Sequence, residues 1–236
     1  MANTSAEVGS GTAPMSLVGR FVGVITAPKA TFEAIVAHPR WFGMLALVCL
    51  VLTLLVGGFM FTEVGRNAWL DAALASSGDV SDQQVRSMEQ ISQYVGFITI
   101  GYMLVFLPIF YLVVAGILYA VFNAGMGGNA TFKQVYAVVV HTGPIGVLAQ
   151  LFTVPLNYAR ETMTSATNLS VLVPMLPEDS FIAMFLGAID LFLVWQMIVL
   201  AIGLAVLYRR RTQPIATALL IVYGVIALII AAVRSW

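Results

Sequence analysis

Charged side chains are scarce in this sequence. Only 9% of its 236 residues are Asp, Glu, Lys or Arg, whereas 60% are hydrophobic and the mean hydropathy is +0.95. A soluble domain carries about a quarter charged residues. Such a deficit is expected when most of the surface faces hydrocarbon, so the composition predicts an integral membrane protein. The formal net charge of zero leaves no basic surplus, which argues against nucleic acid as a partner.

Cysteine and histidine are nearly absent as well. The single cysteine, Cys49, excludes an intramolecular disulfide. With only His38 and His141 in the chain, a histidine-rich metal site is excluded, and we expect neither a metal nor another cofactor. No H-E-x-x-H or C-x-x-C motif is present, and no nucleophile is evident beside a histidine and a carboxylate. We therefore expect a protein that is not an enzyme.

Long apolar runs are what the sequence has instead. Because an α-helix rises about 1.5 Å per residue, about twenty apolar residues cross a hydrocarbon core of about 30 Å. Five runs meet this length, at residues 41–61, 95–122, 132–155, 181–208 and 214–233. The sequence therefore predicts an all-α integral membrane protein, in which residues 41–236 form a bundle of five transmembrane helices.

The first forty residues have no signal-peptide pattern. Residues 1–14 are small and polar, which predicts a disordered tail. Residues 15–40 predict two short amphipathic cytoplasmic helices, the second beginning at Pro28. Two interpretations are open. The helices dip into the membrane interface, where Arg20 and Lys29 meet lipid headgroups, or they pack against the spans.

The distribution of basic residues predicts the orientation. With the N-terminus in the cytoplasm, seven basic residues lie inside and four outside. The inner seven are Arg20, Lys29, Arg40, Lys133, Arg209, Arg210 and Arg211. Five spans then place the C-terminus outside. The three consecutive arginines form a tight inner turn that fixes the topology and contacts anionic lipid heads or a partner. The expected location is a bacterial cytoplasmic (inner) membrane.

One carboxyl group, Asp190, lies in the middle of the fourth apolar run. A charged group at that depth costs about 2.5–3.5 kcal/mol on insertion scales, so it should face the bundle interior and have a partner. Asp190 and His141 each lie about 14 Å from the end of their predicted spans, which suggests one level. Such a pair could relay a proton, bind a cation or hold two helices together, and Gln196 could extend the same polar site.

The third run contains His141-Thr142-Gly143-Pro144. Pro144 removes a backbone donor and clashes with the carbonyl four residues earlier, so a kink or break is expected here. Broken helices at membrane depth can line substrate sites, although a kinked helix in a static bundle explains the same pattern. Thr131 and Gln134, three residues apart, predict a capping box that begins this span.

The order of these features resembles the Yip1-domain family, in particular its short bacterial members. The resemblance rests on an APKATF element, a glycine-bearing loop AGMGGNATFKQVY, the HTGP element, WQMIVLAIGL, and PIATALLIV after the arginine turn. It implies a five-span bundle with a cytoplasmic N-terminus. Eukaryotic relatives act in vesicle traffic with Rab-type GTPases. This sequence lacks their long N-terminal region and its Asp-Leu-Tyr-Gly-Pro element, so a GTPase partner does not carry over.

Two functions remain open from the sequence. The first is a non-enzymatic polytopic membrane protein that contacts lipids, a membrane-protein partner or a second copy of itself in membrane organisation. The alternative is a small transporter or ion-conducting component, in which Asp190, His141, Gln196 and the break at Pro144 line the path. The sequence names neither a substrate nor a partner.

Overall fold

The protein is built from helices. The computed structural model describes residues 15–78, 80–177 and 180–234, so the predicted tail, residues 1–14, lies outside the described residues. The helices before the third span are Leu17–Thr26 (α1), Pro28–Ala37 (α2), Phe42–Leu52 (α3), Gly58–Phe61 (α4), Glu63–Ser76 (α5), Asp82–Ser92 (α6) and Val95–Tyr119 (α7). The later helices are Phe132–Val140 (α8), Gly143–Arg160 (α9), Phe181–Gly187 (α10), Leu191–Tyr208 (α11) and Thr212–Arg234 (α12).

Five helical segments in the described residues are long and apolar enough to cross a membrane. They are Phe42–Phe61, Val95–Gly125, Phe132–Arg160, Leu191–Tyr208 and Thr212–Val233. The first contains the π-helical segment Thr53–Gly57 and the second ends in another, Ala120–Gly125. The prediction of an all-α integral membrane protein with five transmembrane helices is confirmed.

The fourth span begins later than the sequence predicts. Instead of one helix over residues 181–208, the short helix α10 ends at Gly187, and α11 begins at Leu191. The intervening Asp190 has an extended backbone, with φ −100° and ψ 134°. Its side chain accepts the first free N–H groups of α11 and so starts a new helix, which is why a continuous apolar run does not give a continuous helix.

The N-terminal helices α1 and α2 pack into the bundle. Val24, Phe32 and Ile35 are fully buried in the main hydrophobic core. A Cβ atom at Gly203 of α11 would lie 3.0 Å from the Phe32 ring, so α2 contacts the backbone of α11 directly. Of the two interpretations left open by the sequence, packing against the spans is the one observed.

The third span is interrupted at His141 and Thr142, where the sequence predicts a kink. Helix α8 ends before them, and α9 begins after them with Gly143 and Pro144 in its first turn. A Cβ atom at Gly143 would lie 2.9 Å from the Val48 side chain, so the glycine allows α9 to approach the first span closely. The predicted capping box of Thr131 and Gln134 begins α8.

Because the five spans alternate in direction, the segments that connect them lie at two opposite ends of the bundle. Helices α1 and α2, the loop before α8 and the arginine turn after α11 share one end, here called the N-terminal end. Helices α5, α6 and α10, with the segment between α9 and α10, share the opposite end. Each of the two helix interruptions, one within the third span and one just before the fourth, holds a cluster of polar groups.

Candidate functional site

Asp190 is the N-cap of helix α11. One carboxyl oxygen, Oδ1, accepts hydrogen bonds from the backbone N–H groups of Phe192 (2.8 Å) and Leu193 (3.2 Å). The other, Oδ2, accepts from the hydroxyls of Ser165 (3.1 Å) and Thr167. The carboxyl group therefore joins the segment before α10 to the beginning of the fourth span. The two carboxyl oxygens accept four hydrogen bonds, and none of these comes from a histidine.

The interruption before α11 is also held by the fifth span. The Tyr223 hydroxyl donates to the Ala188 carbonyl (2.9 Å) and accepts from the Asp190 N–H (2.9 Å). The Leu191 N–H donates to the Thr167 carbonyl at 3.0 Å. Since unpaired backbone groups are costly away from water, these bonds allow a non-helical segment to precede the fourth span.

His141 has partners other than Asp190. Its Nδ1 lies 2.7 Å from the Ala137 carbonyl, and its Nε2 lies 3.1 Å from Nη1 of Arg20. An arginine can only donate, so Nε2 accepts and Nδ1 carries the proton, which makes the imidazole neutral. The expectation that His141 and Asp190 form a pair is wrong. It assumed two continuous spans, whereas both residues lie at interruptions and each completes its own.

Arg20 faces the bundle interior, where its side chain is only 9% exposed. Besides His141, its Nη1 donates to the Arg40 carbonyl at 2.6 Å, and its Nε is buried without a partner in the described part of the chain. Burial, reinforced by the nearby Arg40 cation, lowers the pKa of Arg20 below its ordinary value. The guanidinium nevertheless remains charged. The expected headgroup contact is therefore wrong for Arg20.

The other cations expected at headgroups are exposed. Lys29, Arg209, Arg210 and Arg211 all lie on the surface at the N-terminal end. Arg209 ends α11 in a left-handed conformation with φ 51°, and Arg210 donates to the Met126 carbonyl at 3.1 Å. The arginine turn is thus bonded to the loop before α8 while its charges stay accessible.

A cavity of about 420 Å³ lies among the first four spans, on the side of the bundle that holds Asp190. Its amide and carboxyl lining consists of Gln150, Asn157, Asp190 and Gln196. Gln196 also donates to the Thr142 hydroxyl at 3.2 Å. His141 and Pro144 are both buried and lie outside this lining. The structure therefore brings Asp190 and Gln196 to one site and leaves His141 and Pro144 at another.

Several residues of these sites were missed by sequence reasoning. Tyr223 carried a usable signal, because a tyrosine inside an apolar span needs a partner for its hydroxyl. Asn157 lies just beyond the predicted end of the third span, which the structure extends to Arg160. Ser165 and Thr167 carried no signal, because hydroxyl residues in a loop are ordinary and their partner is more than twenty positions away.

Comparison with known proteins confirms the resemblance seen in the sequence. The Yip1 domain model matches residues 22–234. "Membrane protein YknW" of Bacillus subtilis (strain 168) is 26% identical over 207 residues, covering 85% of this chain and 83% of the relative. No solved structure matches the chain.

Proposed function

This chain belongs to the Yip1-domain family, and we propose that it acts there as a non-enzymatic membrane protein, through contacts with lipids and other proteins that organise the membrane. One observation carries the proposal. Of the side chains that could have formed a transport path, Asp190 and His141 each complete a helix interruption, and Gln196 donates to Thr142 between α8 and α9. The surface of the protein, with its basic turn and apolar helices, is therefore the part that can contact lipids and other proteins.

The basic part of that surface lies at the N-terminal end. Lys29 and the turn Arg209–Arg211 present four exposed cations there. Each cation near an anionic leaflet contributes about 1 kcal/mol of attraction. In a bacterial cytoplasmic membrane, with the N-terminus inside as the basic residues predict, these groups meet anionic phospholipids of the inner leaflet.

The apolar part of the surface includes helix α1. Val18 is 68% exposed and Val22 49% exposed on the outer face of this helix, whereas its cation, Arg20, points inward. A helix with this arrangement is suited to hydrocarbon on its outer side. Helix α1 therefore both packs against the bundle and offers an apolar face to the inner leaflet.

The second and fifth spans add a larger apolar surface. In each of these spans, only 17% of an apolar stretch of 18 residues is buried inside the bundle. On α7 the rings of Tyr102 and Phe106 stack at 4.5 Å and are about half exposed. This surface accommodates lipid tails, a membrane-protein partner or a second copy of the chain.

The lipid contact can be tested by native mass spectrometry of protein extracted from membranes of mixed phosphatidylglycerol and phosphatidylcholine. We expect the wild type to retain phosphatidylglycerol, and the double variant Arg210→Ser/Arg211→Ser to retain clearly less. Arg86→Ser, an exposed cation at the opposite end, is the matched control and should retain as much as wild type. Equal retention by the double variant and the control would contradict the lipid part of the proposal.

The transport alternative is tested in proteoliposomes with a pH-sensitive dye. We expect proton flux no greater than in protein-free liposomes. A flux that the wild type supports, that Asp190→Asn abolishes and that the exposed control Asp71→Asn keeps would overturn the proposal in favour of transport.

A further inference from the structure

The proposed contacts with lipids and other proteins involve the surface of the protein and leave the cavity among the first four spans without a role. Its volume of about 420 Å³ falls in the range of small-molecule sites. One side is apolar, formed by Val56, Phe59, Met60 and Met103 of the first two spans. The other side is polar and comes from α9 and the beginning of α11. A ligand that fits both sides has an apolar body and one polar end.

The polar side offers hydrogen-bond acceptors that have no donor. The Asn157 amide makes no hydrogen bond within the described part of the chain, and its Oδ1 is buried. Asn157 lines the cavity, so this free amide can turn its oxygen toward a ligand there without breaking a hydrogen bond. Gln196 donates through Nε2, so its Oε1 also remains available. Since an unsatisfied buried acceptor is costly, Asn157 Oδ1 favours a ligand that donates, and Gln196 Oε1 adds a second acceptor at the same site.

Charge in the lining selects the sign of the ligand. Among the lining residues in the described part of the chain, only Asp190 carries a formal charge, and none is a lysine, arginine or histidine. The free N–H groups at the beginning of α11 are already taken by Asp190, so they are closed to an anion. Phe59 and Phe192 also line the cavity, and the face of an aromatic ring attracts a cation.

From these observations we propose that the cavity binds the ammonium group of a small amphipathic amine. An ammonium has three donors and no acceptor, which matches the two amide oxygens, while the Asp190 carboxyl group, whose oxygens already accept four hydrogen bonds, contributes its negative charge. The apolar body of the amine lies against the first two spans. A phosphate would find no cation in the described lining, so a free amine fits the site better than an intact phospholipid headgroup.

The proposal is tested with 2-phenylethylamine as the probe, using protein in phosphatidylcholine nanodiscs and ligand-observed NMR, with empty nanodiscs subtracted. Two analogues keep the phenyl body and change only the polar end: 2-phenylethanol is neutral and phenylacetate is an anion. We expect the amine to bind at least about tenfold more tightly than the alcohol, since hydrogen bonds from a charged donor are the stronger ones. Phenylacetate should not bind.

Variants locate the probe. Asn157→Leu should weaken amine binding about tenfold, because it removes an acceptor. Asn157→Asp should tighten it, because it adds a negative charge, and this gain keeps the test decisive if the leucine variant folds poorly. Asn67→Leu, an exposed position on α5, is the control and should bind like wild type. Equal binding of phenylacetate and the amine, or no change in either Asn157 variant, would overturn the proposal.

A further arm identifies the source of the ammonium. In nanodiscs that also contain phosphatidylethanolamine, unchanged binding supports a soluble amine as the ligand. Competition by that lipid would overturn the small amine as the resident ligand and would assign the ammonium site to a lipid headgroup.

Discussion

The hydrogen bonds of Asp190 give the sharpest stability prediction. Asp190→Ala removes the cap of α11 and the acceptor of the Ser165 and Thr167 hydroxyls together. Asp190→Asn keeps an oxygen for the cap, and asparagine caps helices as well as aspartate does. The amide N–H groups of the asparagine can donate to the Ser165 and Thr167 hydroxyls, because a hydroxyl can accept as well as donate. The two variants therefore separate the hydrogen-bonding role from the charge.

The magnitude follows from these bonds. Loss of an N-cap costs about 1 kcal/mol. Each hydrogen bond to a charged group contributes about 1.5–3 kcal/mol, but Ser165 and Thr167 lie within 3.1 Å of each other and recover part of it by bonding together. We expect Asp190→Ala to lower the free energy of unfolding by about 3 kcal/mol and Asp190→Asn by about 1 kcal/mol.

The measurement is thermal unfolding of the purified protein in a mild detergent, with reversible unfolding in mixed micelles as the second readout. A loss of 3 kcal/mol corresponds to a fall in Tm of roughly 6–12 °C for a chain of this size. Asp71→Ala, which removes an exposed carboxylate, is the control and should melt like wild type. If Asp190→Ala unfolds within about 0.5 kcal/mol of wild type, the described hydrogen bonds do not hold the fourth span, and the reasoning fails.

Three other predictions concern contacts elsewhere in the bundle. Tyr223→Phe should lower the free energy of unfolding by about 2 kcal/mol, since it leaves two backbone groups of the interruption unpaired; a Tm equal to that of wild type would contradict this role. Gly203→Leu should lower Tm and expose α2 to protease, because its side chain would clash with Val138 of α8 and with the Phe32 ring of α2. Protease protection of α2 like that of wild type would exclude the described contact with Phe32. A double-mutant cycle of Arg20→Met and His141→Phe should give a coupling energy of about 1–2 kcal/mol, and a value near zero would rule out their direct hydrogen bond.

The sequence predicted the five spans because length and hydropathy are local properties, which a single segment carries by itself. It also predicted the break at Gly143-Pro144, because proline acts on the backbone of its own helix. It failed at Asp190, where the long apolar run outweighed the local signals of the interruption, a glycine at the end of α10 and an N-cap residue before α11. That interruption depends on Tyr223 and Thr167, which lie far away in the chain. Long-range partners of this kind are not visible in local patterns.

The error at Arg20 has a different cause. Apolar residues occur on both sides of α1, so periodicity alone does not say which side faces the bundle. The sequence placed the cation outside because water or headgroups solvate it there. In the structure Arg20 points into the bundle, where the His141 imidazole and the Arg40 carbonyl accept its hydrogen bonds. Val18 and Val22 lie on the outer face of the helix. An amphipathic helix at a membrane can reverse its usual orientation when the bundle supplies acceptors and the lipid receives its apolar face.

His141, Thr142 and Asp190 thus share one physical explanation. A helix interruption frees backbone N–H and carbonyl groups, and in a membrane the protein itself must satisfy them. His141 and Thr142 return hydrogen bonds to carbonyls at the end of α8, and Asp190 accepts the free N–H groups of α11. A titratable residue at a helix interruption therefore need not mark a transport path. The free acceptors of the cavity and the exposed cations of the arginine turn do not complete an interruption, and they are where binding should be sought.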